Sequence, residues 1–134
     1  MSNTGYALTG FVSWALFLLV VMETIRTYLV VTGKIAANAF TPDNSGLSPF
    51  MQRLSRAHAN CIEGLPIFGG LLAIAVMTSR TGITDPLAFW FLGARLVQST
   101  IHLVSTSPIA VSLRFTAFAV QIVIGVYWSW KLMA

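Results

Sequence analysis

Four apolar runs dominate the chain, each longer than the ~20 residues a helix needs to cross a ~30 Å hydrocarbon core. They extend from about Tyr6 to Val31, Ala57 to Thr78, Ile83 to Val104 and Pro108 to Leu132. A membrane strand would need only ~10 residues, so these lengths predict transmembrane helices. Within 134 residues they leave space for one long connection and two short ones. The expected fold is therefore an all-α integral membrane protein, a single four-transmembrane-helix domain spanning residues 1–134. Composition agrees: 56% of residues are apolar and 9% charged, whereas a soluble domain carries roughly a quarter charged residues. Disorder, which requires low hydrophobicity and high charge, is excluded as well. The first run carries Glu23 and Arg26, no basic segment precedes it, and it shows no convincing cleavage site. It reads as a retained helix rather than a secretory signal.

The charge is sparse but informative. Eight basic residues against four acidic ones give a net charge of +4. Their dispersal through apolar runs makes no basic face for nucleic acid. The single Cys61 rules out an intramolecular disulfide. Between Thr32 and Ser55 lie the turn formers Pro42, Asp43, Asn44, Ser45, Gly46 and Pro49, together with Lys34 and Arg53, and Arg56 stands at the edge. Under the positive-inside rule this long first loop is cytoplasmic and both termini face the outer side, although Lys131 argues the other way. Tyr6, Tyr127, Trp128 and Trp130 suit an interfacial aromatic belt.

Inside the spans, Glu23, Arg26, Glu63, Arg95, His102 and Arg114 each incur ~2.5–3.5 kcal/mol at a helix centre unless partnered. Residues three, four and seven apart share a helix face. Arg53, Arg56, Asn60 and Glu63 thus form one stripe, Arg95, Gln98 and His102 a second, Arg114 and Gln121 a third, and Glu23 with Arg26 a fourth. All four stripes fall toward the cytoplasmic ends of their helices. The outer halves are nearly purely apolar, which predicts a pocket at one depth rather than a continuous channel.

Five arginines, Arg26, Arg53, Arg56, Arg95 and Arg114, outnumber Glu23 and Glu63, a balance that suits a small anionic ligand. Arginine binds carboxylate or phosphate in bidentate fashion and stays protonated when desolvated. The alternative is that the arginines pair with the glutamates or snorkel to the interface; for Glu23 and Arg26 local pairing is the preferred reading. Pro66 removes a backbone donor within the second helix, which predicts a kink, and Gly69 and Gly70 suit close helix packing. His58 lies about 200° around the helix from Arg56, off the polar stripe, and is expected to be structural. His102 is open between ligand contact and an interhelical hydrogen bond. Cys61 falls off the Arg56–Glu63 face. His58, His102 and Cys61 have no paired-ligand spacing, so no metal site is expected.

The stretch Arg53-Leu54-Ser55-Arg56-Ala57-His58-Ala59-Asn60-Cys61-Ile62-Glu63-Gly64-Leu65-Pro66 resembles the signature of the MAPEG family, the membrane-associated proteins in eicosanoid and glutathione metabolism. The resemblance extends over nearly the whole chain: four helices, a long loop after Thr32-Gly33, an arginine in the third helix and another early in the fourth. It implies a homotrimer binding glutathione between subunits near the cytoplasmic face, with membrane lipids and a lipophilic small-molecule substrate as further partners. It also implies Arg56, Asn60, Glu63 and Arg95 as glutathione-binding residues, to which the polar stripes add Arg53, Gln98 and His102 as candidate binding residues of the same pocket, and Arg114 as the cation stabilising the thiolate. Such a cation raises the ionised fraction of a thiol whose free pKa is ~8.5. The chain departs from the family pattern at Ala36, Ala59, Gln98, His102 and Phe118, where each replacement removes a potential glutathione contact of the family's own residue. The implied activity is glutathione transfer or peroxide reduction on lipophilic substrates, and the departures motivate a non-catalytic lipid-binding or partner-binding scaffold as the alternative. A small transporter fits less well, since such proteins usually place their site near mid-membrane.

Overall fold

A computed structural model describes residues 1–134 and contains four membrane-length helices: α1 (Asn3–Val31), α2 (Pro49–Met77), α3 (Thr81–Val104) and α4 (Pro108–Met133). There are no strands. Three helices begin on a serine cap. Ser2 Oγ accepts from the Gly5 amide, Ser48 Oγ from Met51 and Ser107 Oγ from Ala110. Pro49 and Pro108 occupy first-turn positions, where the missing N–H leaves no gap in the helical ladder. At its other end α1 closes with Gly33 at φ 75°, the Lys34 amide reaching back to Leu29 and the Gly33 amide to Val30. This is the paired C-terminal lock that a left-handed residue permits. Ser79 performs the same turn after α2, with φ 56°.

The second helix starts eight residues before the apolar boundary at Ala57, because polarity marks the edge of hydrocarbon and not the edge of a helix. Arg53 and Arg56 therefore stand on a regular helical turn, and the long connection is correspondingly shorter. Pro66 cannot continue the hydrogen-bond ladder, and a π-helical turn from Leu65 to Gly69 accommodates it.

Between helices in lipid there is little hydrophobic drive, so close approach and dispersion hold the bundle. Gly10 receives Leu92 from α3, and Gly125 receives the ring of Phe68; an added Cβ would meet them at 2.8 and 2.9 Å. Phe91 is the centre of the core, its ring 5.7 Å from Phe11, 5.1 Å from Phe68 and 5.6 Å from Trp128. All four helices thus meet at one aromatic cluster. Trp128 is fully buried in it, which corrects its assignment to the interfacial belt; Tyr6, Tyr127 and Trp130 are exposed as that belt requires.

Polar contacts fasten the two ends. Thr4 donates through its amide and its hydroxyl to Asp85, joining α1 to α3. Arg80 donates to the carbonyls of Lys131 and Leu132, where unsatisfied carbonyls carry the negative end of the α4 dipole. In the long loop Asn44 is fully buried. Its amide donates to the Met51 carbonyl while its oxygen accepts from Arg26. That contact fastens the loop to α1 and α2.

Candidate functional site

The loop end of the bundle gathers the end of α3 and the starts of α2 and α4. Arg56 lies about 10 Å along α2 from its start, at 1.5 Å per residue. Here a cavity of about 510 Å³ is lined by Arg56, Ala59, Asn60, Glu63, His102, Thr106, Val111 and Arg114. Two arginines face one carboxylate across it, and no pair among the three comes within salt-bridge distance; Arg26 with Glu23, at 3.1 Å, is the one ion pair of the chain. The cavity wall therefore carries fixed positive charge with unsatisfied donors. Such a wall can receive carboxylate or thiolate groups of a ligand through charge-assisted hydrogen bonds.

A second cleft of about 590 Å³ adjoins it, lined by Asn60, Glu63, Gly64, Ile67, Phe68, Leu71, Arg95, Phe118, Ile122, Gly125, Val126 and Ser129. Asn60 and Glu63 border both spaces. Apart from its Asn60–Glu63–Arg95 end this cleft is mostly apolar, with walls from the π-helical turn of α2 and from α4. The turn aims Phe68 inward against Gly125 and Phe118, so the irregularity at Pro66 shapes the apolar half.

Not every arginine of the sequence stripes reaches these spaces. Arg26 is committed to Glu23, Asn44 and the Thr41 carbonyl. Arg53 donates its Nε to the Leu103 carbonyl at 2.8 Å, closing the end of α3, and lines neither cavity. Arg95 is fully buried; its Nη1 donates to Asn60 Oδ1 at 2.7 Å, and its guanidinium lies 5.1 Å from the Phe11 ring centroid and 6.0 Å from that of Phe68. Arg56 and Arg114 remain as the cations of the polar cavity. The convergence expected of all four stripes thus holds for α2, α3 and α4, while Glu23 and Arg26 on α1 form a separate group beside Phe40.

Asn60 and Glu63 occupy the junction, and His102, mostly buried, stands on the polar wall. Gln98 lines neither cavity: it is buried, donates to Asn60 Oδ1 at 3.1 Å, and accepts from Gln121 Nε2 at 2.7 Å. His58 borders neither space. Cys61 is sealed within the core, its Sγ 3.3 Å from Ser99 Oγ. Ala36 is exposed on the loop, Ala59 opens onto the polar cavity, and Phe118 onto the apolar one. No group of three metal-ligating side chains converges. The apolar wall from Ile67 to Leu71 and from Ile122 to Ser129 was not legible as a site, since an apolar residue facing a cleft looks the same in sequence as one facing lipid.

Four membrane-length helices, three of which wall a basic cavity, define a polytopic membrane protein. The chain belongs to the MAPEG family, whose family model matches residues 4–134. That membership supports a role in glutathione or eicosanoid metabolism in general, and members of the family are typically trimeric. The comparison with curated proteins gave no match, and neither did the comparison with solved structures.

Proposed function

We propose that this protein is a membrane-bound, glutathione-dependent transferase or peroxidase acting on lipophilic electrophiles or lipid hydroperoxides. The observation that carries the reading is the adjacency of two unlike cavities through Asn60 and Glu63: one walled by Arg56, His102 and Arg114, the other apolar. Glutathione, with two carboxylates, an amine and a thiol, suits the first, where Glu63 is available to its amine. A lipophile entering sideways from the bilayer suits the second. The two reactants then meet at the junction, and holding them together supplies much of the rate.

Arg114 is the residue we assign to the thiolate, since a nearby guanidinium in a poorly hydrated site favours the ionised sulfur. In conjugation the sulfur lone pair forms the S–C bond as the leaving group departs with its electron pair. In peroxide reduction the thiolate attacks the terminal oxygen and the O–O bond breaks, giving a glutathione sulfenic acid and an alkoxide. The alkoxide leaves as the alcohol with the proton the thiol gave up, and a second glutathione thiol then converts the sulfenic acid to the disulfide with loss of water. Arg56 and Asn60 bind the peptide, His102 contacts it, and Arg95 acts from behind Asn60. Arg53 and Gln98 belong to the support of this site. We further propose a homotrimeric assembly in which a neighbouring subunit completes the cavity, with the long loop on the cytoplasmic side and both termini outside.

The reading is tested by calorimetric titration of the detergent-purified protein with glutathione, read in parallel with the ultraviolet absorbance of the thiolate. Saturable binding with an absorbance that Arg114→Ala removes supports it. A folded protein that shows neither belongs instead to the lipid-binding or partner-binding scaffold class, which Ala59 on the polar wall and Phe118 on the apolar one favour.

A further inference from the structure

Beneath the junction runs a chain of side-chain amides with a fixed sense. An amide presents an oxygen and a nitrogen of nearly equal shape, so its orientation follows from what its partners are able to do. Arg95 only donates; the Asn60 atom 2.7 Å from its Nη1 is therefore the carbonyl oxygen. Gln98 donates to the same oxygen at 3.1 Å, which turns its own oxygen toward Gln121. At the far end a backbone carbonyl only accepts, and Gln121 Nε2 donates to that of Ala117 at 3.1 Å as well as to Gln98 Oε1. A donor-only group at one end and an acceptor-only group at the other thus dictate the same sense for all three amides.

We propose that Gln98 and Gln121 are positioning residues, which with Arg95 lock Asn60 so that it presents hydrogen-bond donors, and no acceptor, to a ligand anion at the junction of the two cavities. Asn60 Oδ1 already takes two donors, whereas its Nδ2 has no partner within the chain and is not sealed from the cavities. Asn60 borders both spaces, and the other polar group bordering both, Glu63, is an acceptor. The junction therefore discriminates: it receives an acceptor at Asn60 and a donor at Glu63. Gln121 is fully buried and Gln98 nearly so, so both act through Asn60 and not on the ligand. Taking the Asn60 partner as the thiolate or a carboxylate of glutathione rests on the function proposed above.

The test uses the full-length protein in micelles. Nuclear magnetic resonance of the side-chain amides is expected to show slow proton exchange for Gln98 and Gln121, and rapid exchange with a ligand-dependent shift for Asn60 on addition of glutathione. Gln98→Glu offers Arg95 a carboxylate and frees the Asn60 amide to turn; glutathione binding should weaken about tenfold, the equivalent of one charge-assisted hydrogen bond, and the ionisation of the bound thiol should shift to higher pH. Gln121→Met, which removes the donor to Gln98 and keeps the volume, should act in the same direction, and Gln121→Asn should not rescue it. Protection of the Asn60 amide in the ligand-free wild type would overturn the proposal, as would glutathione affinity and thiol ionisation both unchanged in the two folded variants. Wild type that shows the exchange pattern but binds no glutathione supports the amide lock and overturns the thiol reading.

Discussion

Gly64 and Arg95 share one volume: a Cβ on residue 64 would stand 2.6 Å from Arg95 Nη2. The guanidinium of α3 occupies the space that a side chain on α2 would fill. It is buried there with no carboxylate beside it, and its Nε and Nη2 have no acceptor. Asn60 and two aromatic faces are its compensation, and cation–π contacts of this kind strengthen when desolvated. Gly64→Ala is expected to destabilise the folded protein by about 1–3 kcal/mol, as overpacking does, and to loosen the Arg95–Asn60 bond. Thermal unfolding in detergent measures it; unaltered stability would mean that the guanidinium has another place to go.

Arg114→Ala should leave the bundle intact, because Arg114 makes no hydrogen bond or ion pair within the chain and reaches only the polar cavity. Its effect is expected on the ligand: the bound thiol should titrate near the free value of ~8.5. Turnover at the wild-type rate would remove Arg114 from the mechanism.

Arg53 and Arg56 are three residues apart on one helix face and are expected to separate in their phenotypes. Losing Arg53 exposes the Leu103 carbonyl, so Arg53→Ala should cost about 1–2 kcal/mol of stability and leave glutathione affinity within a few-fold. Arg56→Ala should do the reverse, with affinity falling about tenfold for one lost charge-assisted contact and the melting point unchanged. Parallel calorimetric and unfolding measurements on the pair decide the matter.

Ser79 holds a left-handed backbone, φ 56°, at the turn between α2 and α3. A side chain is penalised there and glycine is not, so Ser79→Gly should stabilise by about 0.5–1 kcal/mol. A lower melting temperature would show that the hydroxyl contributes more than the strain costs.

Asp43 accepts hydrogen bonds from Ser45 through its hydroxyl and its amide and from the Thr41 hydroxyl. These donors hold its carboxyl at about 2, below the ordinary 3.8. A depressed folded-state value means that the carboxylate stabilises this turn above pH 3.8 and that its contribution is lost as pH falls toward 2. The carboxyl carbon resonance of Asp43 should titrate near the lower value in wild type and move upward in Ser45→Ala. A wild-type midpoint at 3.8 would show that the turn is open.

Sequence by itself determined that there are four helices, since apolar length against bilayer thickness admits nothing else, and that chemistry gathers toward one end, since helical period places Arg56, Asn60 and Glu63 on one face. It also determined the family, through the residues from Arg53 to Pro66. What period does not carry is the identity of the neighbour a face meets. Arg53 lies on the same face as Arg56 yet reaches the Leu103 carbonyl; Arg26 turns into the loop; Gln98, on the stripe with His102, sits behind Asn60 rather than in the cavity; Trp128 enters the core instead of the interface. Long side chains span the distance between helices, and their partners come from elements some 15 to 50 residues away in the chain. Only the packed bundle, fixed by Gly10, Gly64 and Gly125 at its closest approaches, decided which arginines are structural and which face the cavity.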